Sequence, residues 1–405
     1  MIWWWIRRTL YLSLGRNLTR KRVVPITTVA TVTAAAVIAS KKFDSENSGQ
    51  DKQSKEVMAD NSTPSVCKYS KMWGFSNPFE NWREPNLMTV VKWKTKYTNE
   101  TNLPEDKKIL DEKLPVLTPS FKPNAHNDVC VTWIGHATTL VQMDGVNILT
   151  DPVFSDTAGP SICGTVVGDK RYRPPACKVG DLPDIHAVVI SHSHYDHLDS
   201  QSVHDLHERF KENIHWFVPK NLKSWFTGCG CRKENVHEMD WWEEKDMPGH
   251  PGVKLAFTPA QHWSARNIVL DKNKTLWGSW CVIGPKHRFH FAGDTGYCEA
   301  FKQIGEKYGP FDLAAIPIGA YLPRPIMEPQ HVDPAQAVLI HQDVQAKKSV
   351  GIHWGTFALA YEYYLQPPQD LKKALEEKQI SEEEFFVLKH GESRNVSTED
   401  GQSKL

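Results

Sequence analysis

From Val129 onward, short apolar runs rich in β-branched and aromatic residues alternate with stretches of helical spacing. Runs at Val129–Ile134, Asn147–Thr150, Ala187–Ser191, Ile214–Val218 and Lys254–Thr258 read as strands. So do Trp277–Ile283, Phe289–Ala292, Leu313–Pro317 and Ser349–His353. Helical patterns fall between them near Ser200–Lys211, Glu299–Tyr308, Pro334–Val344 and Pro368–Lys378. Such alternation predicts an α/β domain without internal repeats. Ala187–Ile190 is apolar at every position, as expected of a strand buried on both faces.

The chain ahead of this domain has a different pattern. Trp3, Trp4 and Trp5 are followed by Arg7 and Arg8, and Val23–Ala39 is a run of 17 uncharged residues diluted by Pro25 and four threonines. An aromatic cluster beside cations suits a membrane interface. An Arg-rich start without acids also suits an organellar transit peptide, and a free tail is the third reading. Residues 44–66 are polar and cannot bury enough surface to fold, so they read as a linker. The expected organisation is therefore an anchoring or targeting segment over 1–43, this linker, a catalytic domain over 67–395 and a polar tail over 396–405. Residues 67–123, rich in Trp, Pro and Asn with short helical stretches, are expected to wrap that domain.

Charge sharpens the division. Lys+Arg and Asp+Glu both number 48, but residues 1–43 hold eight basic residues and no acidic one. The remainder therefore carries 40 basic against 48 acidic residues, a balance of −8. That counts against a nucleic-acid enzyme, which meets phosphates with a basic face. The 15 tryptophans read mostly as core. Eight cysteines without a CxxC pair read as reduced thiols in a cytosol-facing domain, and Cys229-Gly-Cys231 is a weak metal candidate.

Candidate chemistry starts directly after the Ala187–Ile190 strand, in HSHYDHLD at residues 192–199. His192, His194, Asp196 and His197 are borderline-to-hard ligands suited to Zn²⁺. Four such groups in six residues overfill one compact ion and suit two adjacent ions, each completed from elsewhere. Three more ligand-type residues follow later β-like runs: His262 in TPAQHW, Asp294 in HFAGDTGYC and His353 in GIHWGTFALA. One such residue alone is usually structural; three at successive strand ends after the first motif reverse that judgement. His136, in GHATT after the first strand, reads as a packing or supporting residue, and Tyr297 and Cys298 read as structural.

These motifs resemble the metallo-β-lactamase superfamily. The resemblance implies an αβ/βα sandwich with two Zn²⁺ ions at one edge. It implies His192, His194 and His262 on one ion, Asp196, His197 and His353 on the other, and Asp294 bridging. HSHYDHLD, TPAQHW, HFAGDTGYC, EPQHVDP and GIHWGTFALA, with WIGHATTLVQMDG and LTDPVFS, are together similar to the N-acylphosphatidylethanolamine-hydrolysing phospholipase D family over roughly Trp73–Gly391. That likeness implies attack on phosphorus by a metal-shared hydroxide, releasing N-acylethanolamine and phosphatidic acid. It implies that Tyr195 and His331 contact the lipid, with Asp294 and His331 serving catalysis. The family's bile-acid groove is not carried over, because Ala265 stands where a basic residue is expected, with Arg266 beside it.

The expected partners are a phospholipid substrate and a membrane surface, without nucleic acid; a homodimer is one of the oligomeric states left open. The expected location is membrane-associated, Golgi or endosomal by resemblance, with mitochondria the alternative. A metal-dependent lactonase or other esterase is the rival enzyme reading. A membrane scaffold that lost catalysis has no use for a complete set of seven ligands.

Overall fold

The computed structural model describes residues 67–397, apart from Trp73 and residues 85–86, 122–127, 163–164 and 268–269. The segment over 1–43, expected to anchor or target, and the whole linker over 44–66 lie outside the described residues. Among the described residues, no helix is long and apolar enough to cross a membrane.

Two seven-stranded sheets form the body. In chain order their strands are β1 (Asp128–Gly135), β2 (Thr138–Met143), β3 (Val146–Thr150), β4 (Ala187–Val189), β5 (His215–Pro219), β6 (Val236–Met239) and β7 (Glu244–Asp246). There follow β8 (Lys254–Thr258), β9 (Ser279–Ile283), β10 (Arg288–Phe291), β11 (Leu313–Pro317), β12 (Ser349–Ile352), β13 (Phe385–Phe386) and β14 (Ser393–Ser397). The first sheet runs β6-β5-β4-β3-β2-β1-β14, and β7 to β13 follow one another in the second.

Alternation along the strands explains the layering. Val129, Val131, Val141, Ile148, Ala187, Val189 and Phe217 point into the core shared with the second sheet. Their neighbours Ile134, Leu140, Leu149, Val188, Ile190, Trp216 and Val218 form a second core on the opposite face. The helix Ser200–Phe210 covers that face with Val203, Leu206 and Phe210. Asp199 caps it by accepting from the Gln201 and Ser202 amides. Helices Ala300–Tyr308, Pro334–Asp343 and Gln366–Lys378 bury apolar residues of their own at the second sheet. Helix, sheet, sheet and helix thus make the expected αβ/βα sandwich. The early segment packs on it: Phe75, Phe79, Leu110 and Leu114 join the main core. Trp133, Trp216, Trp277 and Trp280 are wholly buried, as the core reading of tryptophan expected.

Register decides where the chemistry emerges. Val189 of β4 pairs in parallel with Thr150 of β3 and Phe217 of β5, so Asp151 and Ser191 leave adjacent strands at the same edge. In the second sheet β10 is parallel to β11 and β11 to β12. Strand β8 is antiparallel to β9, which is antiparallel to β10, so β8 points the same way as β10. The residues following β8, β10 and β12 therefore reach one edge.

The sequence reading omits β2, β6, β7, β13 and β14. Strand β2 is masked by Thr138, Thr139 and Gln142, which are buried nonetheless. Thr139 and Thr150 join hydroxyls across the ladder at 2.9 Å, and Thr138 Oγ1 donates to Asp151 O at 2.8 Å. Strand β14 carries Val396 into the core and pairs it with Val129.

Candidate metal centre

The loop after β4 is held by Asp151. Its Oδ1 accepts from the Ser191 amide at 2.7 Å, and its Oδ2 accepts from Ser191 Oγ at 2.5 Å and from His197 Nδ1 at 2.6 Å. Ser191 Oγ, having donated its proton, can only accept from His192 Nδ1, 2.9 Å away. His262 Nδ1 donates to the Gln330 carbonyl at 2.9 Å. In each of these three rings the Nδ1 proton is spent outward. The Nε2 atoms of His192, His197 and His262 are left facing inward.

They face a crowded interior. His192 Nε2 lies 2.7 Å and His262 Nε2 3.3 Å from His194 Nδ1. The other ring nitrogen, His194 Nε2, is buried without a hydrogen-bond partner. On the other side His353 Nε2 lies 3.1 Å from His197 Nε2 and 3.6 Å from Asp196 Oδ2. Asp294 sits between the groups. Its Oδ2 is 3.1 Å from His197, 3.9 Å from His192 and 3.8 Å from His262, and its Oδ1 is 3.1 Å from His353. Two donor clusters result, His192/His194/His262 and His136/Asp196/His197/His353, with Asp294 reaching both. Gly293 permits this approach: a Cβ there would meet Ser191 Cβ at 2.6 Å. Its φ of +61° is open to glycine, whereas φ of +31° at Asp151 and +62° at His353 places strained backbone around the site.

The charge balance asks for a cation. Burial, reinforced by neighbouring imidazoles, holds His192 and His194 well below the usual imidazole range. Burial also takes His262 down to about 4. These rings are neutral, the form that ligates metal. Burial opposes charge on His353 and His197 too, but Asp294 and Asp196 outweigh it, lifting His353 to about 9 and His197 well above its usual value. Asp196 and Asp294 stay well below the carboxylate range because His197 and its neighbours outweigh their burial. Inward lone pairs, two ionised carboxylates and imidazoles protonated only to balance them are a donor set that fits divalent metal ions.

All seven ligand candidates from the sequence thus meet at one edge. His331 stands at their mouth, its side chain 12% exposed and its Nδ1 3.9 Å from Asp294 Oδ2. Its ring stacks on that of His353 at 5.5 Å and meets that of His262 edge-on at 5.2 Å. Tyr195 lies beside Val153, Ala158, Phe357 and Leu359, which form a small apolar wall. His136 comes closer than a packing role requires: its Nε2 is 3.1 Å from Asp196 Oδ2. Cys229 and Cys231 join no cluster of ligand-type groups among the described residues. Tyr297 donates to Asp343 at 2.5 Å and Cys298 is buried in the core, both away from the donors. The sequence reading missed Asp151, Ser191 and Gln330; the one available signal was an aspartate directly after a strand in LTDPVFS.

Residues 146–354 match the family model described as "Beta-lactamase superfamily domain". The chain is 43% identical over 323 residues to N-acyl-phosphatidylethanolamine-hydrolyzing phospholipase D 1 of Caenorhabditis elegans, covering 77% of this chain and 89% of that protein. It is 35% identical over 297 residues to the Saccharomyces cerevisiae protein named N-acyl-phosphatidylethanolamine-hydrolyzing phospholipase D, mitochondrial, covering 72% of this chain and 60% of that one. Among solved structures, isothiocyanate hydrolase from Delia radicum gut bacteria superposes with a TM-score of 0.51 at 17% identity, covering 65% of this chain and 98% of its own. At that identity the likeness speaks for the fold alone.

Proposed function

The chain belongs to the N-acyl-phosphatidylethanolamine-hydrolyzing phospholipase D family of the beta-lactamase superfamily and is a metal-dependent hydrolase, and we propose that it uses two zinc ions to cleave N-acylphosphatidylethanolamine into N-acylethanolamine and phosphatidic acid. The observation that carries this reading is the pair of donor sets joined by Asp294. His192, His194 and His262 would hold one ion, Asp196, His197 and His353 the other, with Asp294 shared. When bound, such ions supply an activated water near neutral pH and charge neutralisation for phosphoryl oxygens.

The chain's own groups do the rest. Asp151 holds the Nδ1 proton of His197 and, through Ser191, that of His192, so Nε2 is the atom each ring would offer to a metal. His331, kept neutral by burial, presents an imidazole at the mouth that can donate to a phosphoryl oxygen. The apolar wall around Tyr195 suits an acyl chain. Such a substrate lives in a bilayer, so a membrane surface is the proposed partner. The name of the yeast relative agrees with the mitochondrial alternative, which stands beside the Golgi and endosomal membranes as a destination to test.

The test is product analysis of the purified chain with N-acylphosphatidylethanolamine vesicles. Release of N-acylethanolamine and phosphatidic acid supports the proposal. Inertness toward the vesicles with turnover of a lactone or a simple ester overturns it in favour of another hydrolase of the same fold.

A further inference from the structure

Arg266 follows His262 by four residues and ligates nothing in the reading above. Its root is fixed: the Arg266 and Asn267 amides both donate to Asp271 Oδ1, at 3.0 and 2.7 Å. Its guanidinium reaches across to the other ligand loop. Nη1 donates to Leu198 O at 2.6 Å and to Ser193 O at 3.3 Å. Those carbonyls bracket His194–His197, since Ser193 immediately precedes His194 and Leu198 immediately follows His197. The guanidinium carbon lies 4.0 Å from the centre of the Tyr195 ring and 5.0 Å from that of Trp225.

The bracketed segment joins β4 to the helix Ser200–Phe210 and belongs to neither. Its own backbone closes only a turn, with the His197 and Leu198 amides donating to His194 O at 3.1 and 2.8 Å. Asp151 and His136 fasten the His197 and Asp196 side chains, but the segment's backbone carbonyls on either side need a fastening of their own to hold three ligand candidates within the tolerance of a metal site. A planar guanidinium can bond two carbonyls and stack on an aromatic face at once; an ammonium cannot. We propose that Arg266 is a positioning residue of the metal centre: it ties both feet of the His194–His197 segment to the loop that carries His262, and holds the Tyr195 ring in place at the mouth. The inference rests on the reading of His194, Asp196 and His197 as metal ligands.

The test compares Arg266→Met, Arg266→Lys and Arg209→Met in the full chain. Arg209 is the control: its guanidinium donates to Val179 O and Leu182 O, at the last turn of the helix Ser200–Phe210. Zinc affinity is read by chelator competition, kcat and KM separately on N-acylphosphatidylethanolamine, and stability by thermal unfolding. Arg266→Met should weaken zinc binding by about 10–100-fold, as loss of a group that orients ligands does, and raise KM through the loosened Tyr195. Arg266→Lys should fall between it and wild type. Arg209→Met should lose stability only. An Arg266→Met chain that melts earlier yet keeps wild-type zinc affinity and KM overturns the inference. If that variant does not fold, Arg266→Lys decides in the same way: wild-type affinity overturns, intermediate affinity supports. A wild-type chain that takes up no zinc overturns the ligand reading itself and the inference with it.

Discussion

Asp151→Asn is the sharpest probe of how the site is organised. The carboxylate receives three protons: the Ser191 amide on Oδ1, and Ser191 Oγ and His197 Nδ1 on Oδ2. An amide of the same shape cannot accept all three. With its NH₂ at the Oδ1 position it faces the Ser191 N–H, and that buried donor loses its partner at about 1–3 kcal/mol. With its NH₂ at the Oδ2 position it drives the His197 proton from Nδ1 to Nε2, the atom 3.1 Å from Asp294 and 3.3 Å from Asp196. Either orientation also removes a charge-assisted bond worth about 1.5–3 kcal/mol. Zinc affinity should therefore fall about 10–100-fold, with a matching loss of turnover at limiting zinc. A control separates site from scaffold. Asp144 forms a similar buried pair with His287 Nδ1 at 2.7 Å, in the hairpin turn at the opposite end of β3. Asp144→Asn should lower stability and leave zinc affinity alone. The assay is chelator competition alongside thermal unfolding of all three chains. An Asp151→Asn chain that binds zinc like wild type refutes the tautomer argument.

Three further outcomes follow from the same geometry. His331→Ala should keep full metal content and lower kcat/KM by roughly 10²–10⁴, the range of a lost acid–base group; loss of metal would make His331 a ligand, and unchanged kinetics would leave it a loop residue. In the metal-free chain His353 sits at about 9, so its stabilising protonation is complete below the ordinary imidazole value and is lost as the pH rises through about 9. His262, drawn down to about 4, costs stability as the pH falls from the ordinary imidazole range toward 4. The metal-free melting midpoint should thus decline on both sides of neutrality, and zinc affinity should climb from neutrality toward pH 9 as His353 gives up its proton; a flat affinity profile would contradict the assignment. Deleting residues 1–64 should leave hydrolysis of detergent-dispersed substrate nearly intact and move the chain toward the soluble fraction, whereas metal loss or misfolding would make the segment part of the core.

What the sequence reveals of the site depends on how each residue gets there. His192, His194, Asp196 and His197 are legible because they fall within six residues, and one strand end delivers all four. His262, Asp294 and His353 are legible because each follows a β-like run, and strands pointing the same way end at one edge. Asp151 is not, because its partners come from parallel pairing of β3 with β4, a register that no local pattern displays. His136 reads as a packing or supporting residue and supports Asp196, but the partner itself is hidden: a positive φ of 54° at the turn after β1 and a hydrogen bond from a neutral ring to Asp196 cannot be read from GHATT. Among strands, β4 is plain because both faces are apolar, whereas β2 and β14 hide behind threonines, Gln142 and Arg394 that earn their place through cross-strand partners.

The central claim is two ions sharing Asp294, and elemental analysis of the purified, active chain tests it most directly. Metal content measured beside turnover during stepwise chelation should show about two equivalents per chain, with activity lost as they are withdrawn. In Asp294→Asn both sites should weaken together and turnover should vanish. Full turnover with a single equivalent or none would contradict the dinuclear account.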